Sequence, residues 1–401
     1  MLRSLYAGIS GLRAHQTMLD VTGNNIANVN TAGFKASQVQ FQDTLSQVVA
    51  NAGSAQDGVG GTNPAQVGLG VKVAGITTNF QQGAAQLTNR QTDMMISGDG
   101  FFVVEKGGEQ LYSRAGAFSF DALGQLVTPD GGLVQGWAAD GTGEIDLNSP
   151  LSALRLPVST LMGAEATQGS VYEGNLPYDA EVGTVLNRQV DVFDGSGAPH
   201  TLDLGFTRTA TGWDITAAVE GTTSTQTGSV TFDTDGAIAT LDFDPILGDA
   251  AVGTEAITVD LIALTGFAGL ETIAAASQDG RAAGSLQSFA INSDGTLVGS
   301  FSNGLKQAIG RVALGSFANP SGLEKSGSSL YRATVNSGDA QVGEAGAGGR
   351  GVLSGGSLEM SNVDLSAEFT NLIVAQRGFQ ANSRVITTSD ELLQELVNLK
   401  R

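Results

Sequence analysis

Few side chains in this sequence could do chemistry. Histidine occurs twice, at His15 and His200, so a Ser-His-Asp triad has two possible bases. A His-rich metal site cannot form within one chain. Cysteine is absent, which excludes disulfides, Cys-ligated zinc, Fe–S clusters and thiol catalysis. Asp233/Asp235 and Asp242/Asp244 sit two apart and would share one face of a strand. Like charges that close raise one pKa, which a glycosidase can use. Both pairs flank the turn signal Asp235-Gly236 in an acid-rich region, where a solvated turn is the plainer reading. Calcium suits the residue types, but Asp-x-Asp-Gly lacks the further ligands of an EF-hand loop. Gly98-Asp-Gly100 lacks GxGxxG spacing and reads as a hairpin turn, not a phosphate loop. His15, beside Gln16 on a helical stretch, and His200, in a turn after Pro199, read as surface or packing residues. We therefore expect no catalytic, metal or cofactor site, and no enzyme.

The composition narrows the classes further. The chain has 401 residues, enough for two or three domains, and 56 of them are glycine. Its formal charge of −20 disfavours a phosphate-backbone partner, so no nucleic acid is expected. No segment approaches the ~18 apolar residues of a membrane span, so no membrane insertion is expected. The stretch Met1–Gln16 carries Arg3 but no continuous apolar core, and does not read as a cleavable signal peptide.

Positioning begins with the ends. Leu5, Leu12, Leu19 and Ile26 are spaced by seven, as are Leu365, Leu372, Phe379, Ile386 and Leu393. Such rows are seams of helices that pack lengthwise. The second seam position is poorer, so each helix has a narrow apolar face. Gly378, mid-helix, marks a bend or a close helix approach. Between Asp140 and Gly280 stand 21 acidic residues against Arg155, Arg188 and Arg208, which marks a domain boundary on either side. Asp-Gly and Asn-Gly pairs punctuate the middle, and Gln189–Phe193, Thr201–Phe206 and Ser229–Asp233 alternate as strands do.

The expected fold class is α+β and multidomain, with coiled-coil-like N- and C-terminal helices and two mainly-β domains, the second inserted in the first. The expected layout is terminal helices over 1–27 and 361–401, a linker or extended arm over 28–70, a first β domain over 71–145 and 281–360, and an acidic outer β domain over 146–280. The stretch Gly23–Phe34, with Asn24, Asn25, Asn28, Asn30 and Gly33, reads either as a helix terminator or as a fixed joint anchored by Phe34. Amphipathic ends that cannot bury their rows alone suggest head-to-tail self-assembly, with a helical filament when contacts do not close.

These residues carry a family resemblance. Ser10–Gln16 and Leu19–Lys35 resemble the N-terminal signature of bacterial flagellar rod and hook proteins. Ser361-Asn-Val-Asp-Leu, Glu368-Phe and Gln376–Asn382 resemble its C-terminal counterpart. Ile96–Val103 and Tyr112–Phe118 are similar to the family's first β domain. Val190–Leu202 and Ser300–Gly304, with the acidic insertion, point to its hook members. The resemblance covers about 1–50, 87–137 and 289–401, and is patchy over 138–288.

The resemblance implies a subunit that polymerises with itself into a curved tube outside the cell, a universal joint carrying motor torque to the filament. The terminal helices would form the inner core and the β domains the outer shell. It implies export through the flagellar type III apparatus without a cleaved signal. The implied partners are the distal rod, the hook cap and the hook–filament junction proteins. Cysteine crosslinking, known in some relatives, is excluded. Competing readings are a distal rod subunit, disfavoured by the insertion, and a secreted acidic β-rich adhesin, which leaves the paired heptad ends unexplained. A peptidoglycan hydrolase would need a site that does not stand out.

Overall fold

Helix α1 (Leu2–Ala27) runs into a series of short turns, and helix α2 (Leu365–Asn398) closes the chain. The computed structural model describes residues 2–54, 60–156, 161–221, 225–243 and 256–398. All remaining described regular structure is strand, apart from one short 3-10 turn at Pro320–Gly322. The chain packs as two units. One comprises Met1–Leu156, Ala290–Val298 and Ala308–Arg401, and the other Pro157–Phe289 and Gly299–Gln307.

In the first unit, Phe101–Lys106 pairs with Glu109–Ser113 and with Leu133–Ala138. Its apolar run is buried on both faces of the sheet, as a continuous Phe-Phe-Val-Val demands. Phe102 and Val104 join a cluster with Leu111, Phe118, Val134 and Leu314. Phe101 and Val103 point the other way, to Tyr112, Trp137, Phe317 and Tyr331. Met94–Ser97 pairs with Val352–Gly355, and Ala85–Leu87 with Ser357–Glu359, so two successive pairings lead the chain towards α2. Gly98-Asp-Gly100 is therefore not a hairpin turn. It joins two strands that pair with different partners, and its glycines adopt φ values of 107° and 133°.

The span 28–70, expected as linker or arm, contains strands. Ser37–Asp43 pairs with Val71–Thr78, and Ser46–Ala50 with Ala65–Gly68. Val39 and Phe41 alternate with glutamines in the first ribbon, but the Gly-, Asn- and Gln-rich surroundings mask it, and the second ribbon is exposed along both of its strands. Val71–Thr78 thus belongs with this ribbon. The expected boundary at 146 also moves: Ser152–Ala153 pairs with Leu133–Ala138, and Leu154 and Leu156 are buried in the first unit.

The second unit has a five-stranded antiparallel meander: Val185–Phe193, Pro199–Arg208, Trp213–Val219, Thr225–Phe232 and Ile238–Asp242. A three-stranded sheet centres on Gly169–Asn175, parallel to Thr258–Thr265 and antiparallel to Ala274–Gln278. Tyr172, Leu202, Leu204, Phe206, Trp213 and Ile215 form its core.

One turn recurs in both units. At Asp121, Thr128, Asp140, Asp194, Asp233, Asn292 and Phe301, the carbonyl accepts from the glycine three residues on, and the N–H donates to the carbonyl after that glycine. The glycines, among them Gly124, Gly143, Gly197 and Gly236, lie at φ between 74° and 88°. This is a three-residue hairpin loop closed by a left-handed residue, where glycine costs least. At Asp121, Asp140, Asp194 and Asp233 one carboxylate oxygen also accepts two loop N–H groups. Asp233/Asp235 is accordingly a solvated turn and no acid/base pair. Asp242 is exposed, and Asp244 lies outside the described residues.

Those turns predict an acid response. The Ser196 hydroxyl, then the Ala198 N–H, hold the Asp194 carboxyl below its usual 3.8, and the Thr142 hydroxyl and Glu144 N–H do the same for Asp140. A carboxyl lowered in the folded state contributes stability above pH ~4 that is lost as pH falls through its folded value. Melting temperature should drop below pH 4, and Asp194→Asn with Asp140→Asn should flatten that drop.

Candidate assembly interface

The two helices lie antiparallel, and small residues decide how. A Cβ on Gly11 would come within 2.7 Å of the Asn382 amide, and one on Gly378 within 2.5 Å of the His15 ring. A Cβ on Gly8 would meet Ile386 and Val385 at 3.4–3.6 Å. Gly8, Gly11, Ala14, Thr22 and Asn25 are buried, with His15 and Met18 half-buried between them. This row repeats at spacings of three and four and faces α2. Leu5, Leu12, Leu19 and Ile26 are half-buried beside it. On α2, Ala375 and Ser389 are buried, and Leu372, Phe379, Asn382, Ile386 and Leu393 half-buried, while Leu365 is exposed. Gly378 is a close approach, and His15 packs between it and Phe41, whose ring centroid is 5.9 Å away.

The pairing leaves apolar surface uncovered on α2. Phe369, Ile373, Val374, Val385 and Leu392 are 40–56% exposed. An amphipathic helix pair satisfied within one subunit would not show them to water.

The stretch after α1 is tied down by side-chain hydrogen bonds. The Asn28 side chain donates to the carbonyl and amide oxygens of Asn24, and the Thr31 hydroxyl donates to Asn28. The Asn25 amide donates to Glu368 Oε1 at 2.9 Å and to the Ser37 carbonyl, whose N–H returns a bond to Asn25 Oδ1. Gly33, at φ 68°, donates its N–H to the Glu359 carbonyl at 2.7 Å. A Cβ there would lie 2.4 Å from the Ala115 nitrogen, so only glycine fits. Phe34 is half-buried, with the Lys325 ammonium 5.0 Å above its ring. Asn30 and Gln376 stand exposed.

Below the joint lies an ion cluster that local sequence does not mark. Lys35 and Glu359, both fully buried, pair at 2.6 Å, and Arg114, 2% exposed, stands 3.6 Å from the other Glu359 oxygen. Glu359 also accepts the Gly83 N–H, and Lys35 donates to the Gln81 carbonyl. Arg114 donates to the Gly98 carbonyl and lies over the Phe101 ring. Asn362 completes the joint by accepting from the Ala36 N–H and donating to the carbonyls of Asn79 and Gln81. Burial pulls the Lys35 ammonium pKa down, and Glu359 opposes that.

His200 Nε2 stands 3.7 Å from Asp194 Oδ2, while Oδ1 of the same carboxylate accepts the Ser196 and Ala198 N–H groups of its turn. The arrangement offers surface for association.

Two cations share one carboxylate, so the partners are unequal. Glu359→Gln strands both cations and should cost about 3–5 kcal/mol, the range for breaking a buried pair. Lys35→Met leaves Glu359 balanced by Arg114 and should cost less. Denaturant unfolding of the two variants checks the order.

Comparisons with known proteins agree with this geometry. Family models match over four stretches: "Flagella basal body rod protein" over 5–35, "Flagellar hook protein FlgE/F/G D1 domain" over 95–168, "Flagellar basal body protein FlaE D2 domain" over 177–281, and "Flagellar basal body rod FlgEFG protein C-terminal" over 354–399. The flagellar hook protein FlgE of Borreliella burgdorferi is 41% identical, with all of both chains covered. That of Escherichia coli is 38% identical over 98% of each chain. The basal-body rod protein FlgG of Bacillus subtilis is 35% identical over the whole of both chains. The solved Helicobacter pylori hook protein FlgE2 shares the fold at a TM-score of 0.54 and 15% identity, covering 69% of this chain and 100% of that one. With identities of this size over its full length, the chain belongs to the flagellar hook protein family.

Proposed function

We propose that this chain is the structural subunit of the flagellar hook, polymerising with itself into a curved flexible tube that transmits torque from rod to filament. The observation that carries this is the uncovered apolar surface of α2 beyond its contact with α1. The terminal segments 1–27 and 361–401 form the inner, coiled-coil-like assembly core. The β regions form the outer wall, the acidic one inserted within the other. The joint residues Asn24, Asn25, Asn28, Gly33 and Phe34 set the angle at which the core leaves the wall. The subunit works outside the cell, exported by the flagellar pathway, and meets rod, cap and junction proteins at the ends of the tube. A distal rod subunit is the second reading, favoured by the full-length likeness to a rod protein. The hook relatives at 41% and 38% identity weigh against it.

Adjacent positions on α2 separate assembly from folding. Leu372 is half-buried, whereas Ile373 is 51% exposed. Ile373→Asp should leave the monomer's melting unchanged and abolish tubes seen by negative-stain electron microscopy. Leu372→Asp should lower the melting temperature as well. Normal tubes from Ile373→Asp would overturn the assignment of this face.

A further inference from the structure

A pocket of about 270 Å³ lies beside the stretch that follows α1. Phe34, Leu330 and Tyr331 give it apolar walls, and Lys325, Ser328 and Ser329 stand along it. Asn24, Asn28 and Thr31 border it and already bond to one another. None of the residues that line it is acidic.

Lys325 reaches the pocket from the hairpin of Glu324–Gly327 with Leu330–Arg332. Its ammonium lies 5.0 Å from the centre of the Phe34 ring. It donates to the Ser37 hydroxyl at 2.8 Å and to the Lys35 carbonyl at 3.2 Å. All three partners are neutral. Withdrawal from water pulls the ammonium pKa down and no carboxylate opposes it, whereas Glu359 opposes the same pull on Lys35. Glu324, next in the strand, lies on the other face, paired across the hairpin with Arg332. Lys325 makes no ion pair among the described residues. This is a half-withdrawn cation without an anion, in a chain of 40 acidic and 20 basic residues.

The tip of the same hairpin is strained. Ser328 and Ser329 are its two loop residues, at φ 51° and 58°. A loop of this hand favours Asn-Gly or Gly-Gly, because a Cβ is penalised at positive φ. Strain of this kind persists where it serves a ligand clamp. Here it sets two serines beside the ammonium, at the mouth of a pocket with apolar walls.

We propose that this pocket receives an aspartate or glutamate side chain of a second copy, its carboxylate on the Lys325 ammonium and its stem against Phe34 and Leu330. The volume suits one side chain and no larger element. Charge favours this occupant, since a copy at −20 offers carboxylates in excess. A pocket on one copy and a carboxylate elsewhere on the next make a head-to-tail contact, which repeats without closing. The inference deepens the self-assembly reading above and rests on it.

A carbodiimide tests the contact on the unaltered chain, because it joins an amine to a carboxylate only where the two touch. Tubes are grown on sheared tube fragments from an equal mixture of isotopically light and heavy chain, treated, digested and read by mass spectrometry. The expected product is Lys325 joined to an Asp or Glu of the other isotope, in tubes and not in free subunits. Tubes in which Lys325 joins no other copy would overturn the proposal and leave self-assembly standing. Substitution gives a second measure. Lys325→Arg should extend seeds within about threefold of the unaltered rate, and Lys325→Met should fall about tenfold. Added salt should narrow the gap between Lys325→Met and the unaltered chain, because it screens the pair. A gap that salt does not move would assign Lys325 to holding its own subunit together and overturn the pairing. Failure of the unaltered chain to extend seeds overturns the assembly reading itself, and this inference with it.

Discussion

Glu359 is where the two ends of the chain converge. Its carboxylate takes Lys35 from the stretch after α1, the Gly83 N–H from the loop before Ala85–Leu87, and faces Arg114 from the β region. Its carbonyl takes the Gly33 N–H. Six residues later α2 begins. The direction in which α2 leaves the β wall, and hence the antiparallel register with α1, follows from one buried cluster. Such a cluster adds little net stability over an apolar core. What it adds here is geometry, because each partner comes from a different stretch of chain and none can shift without stranding a charge.

From that fixed departure the helices meet through their smallest residues. Gly8, Gly11 and Gly378 bring the backbones together, with His15 and Asn382 filling the space they leave. A contact made of small residues spends little apolar surface. The larger side chains of α2 are therefore left over at its flanks and far side, where neighbouring copies can use them. One unit thus holds a hydrogen-bonded turn next to a helix pair that leaves Phe369, Ile373, Val374, Val385 and Leu392 exposed. A tube that bends without coming apart needs both: an inner contact that keeps its register, and a wall able to adjust. The many glycine-closed turns and the acidic, solvated loops of the β regions suit contacts that stay wet.

Much of this could be read from the residues. Seven-residue apolar rows revealed both helices, and alternation in Val190–Phe193 and Leu202–Phe206 revealed strands of the second unit. The run of Asn and Gly after α1 marks the place where the helix ends and side-chain hydrogen bonds take over. What stayed hidden has physical reasons. Lys35 and Glu359 are 324 positions apart, and nothing around either residue announces a partner. A seven-residue row marks the largest side chains, whereas close approach selects for missing ones, so Leu5 and Leu12 flank a contact centred on Gly8 and Gly11. Charge is a surface property and shifts near 146, while Leu154 and Leu156 follow the core they are buried in. The ribbon of Ser46–Ala50 with Ala65–Gly68 leaves no packing signature in the sequence, because all of its residues are exposed.

The central claim is that the terminal helices complete their packing only between copies. Hydrogen exchange of backbone amides, compared between free subunit and tubes, tests it most directly. The account predicts that amides over 2–27 and 365–398 exchange readily in the free subunit and gain strong protection in tubes, while those of the meander over 199–219 change little. Protection gained across the meander, with the helices unchanged, would contradict it.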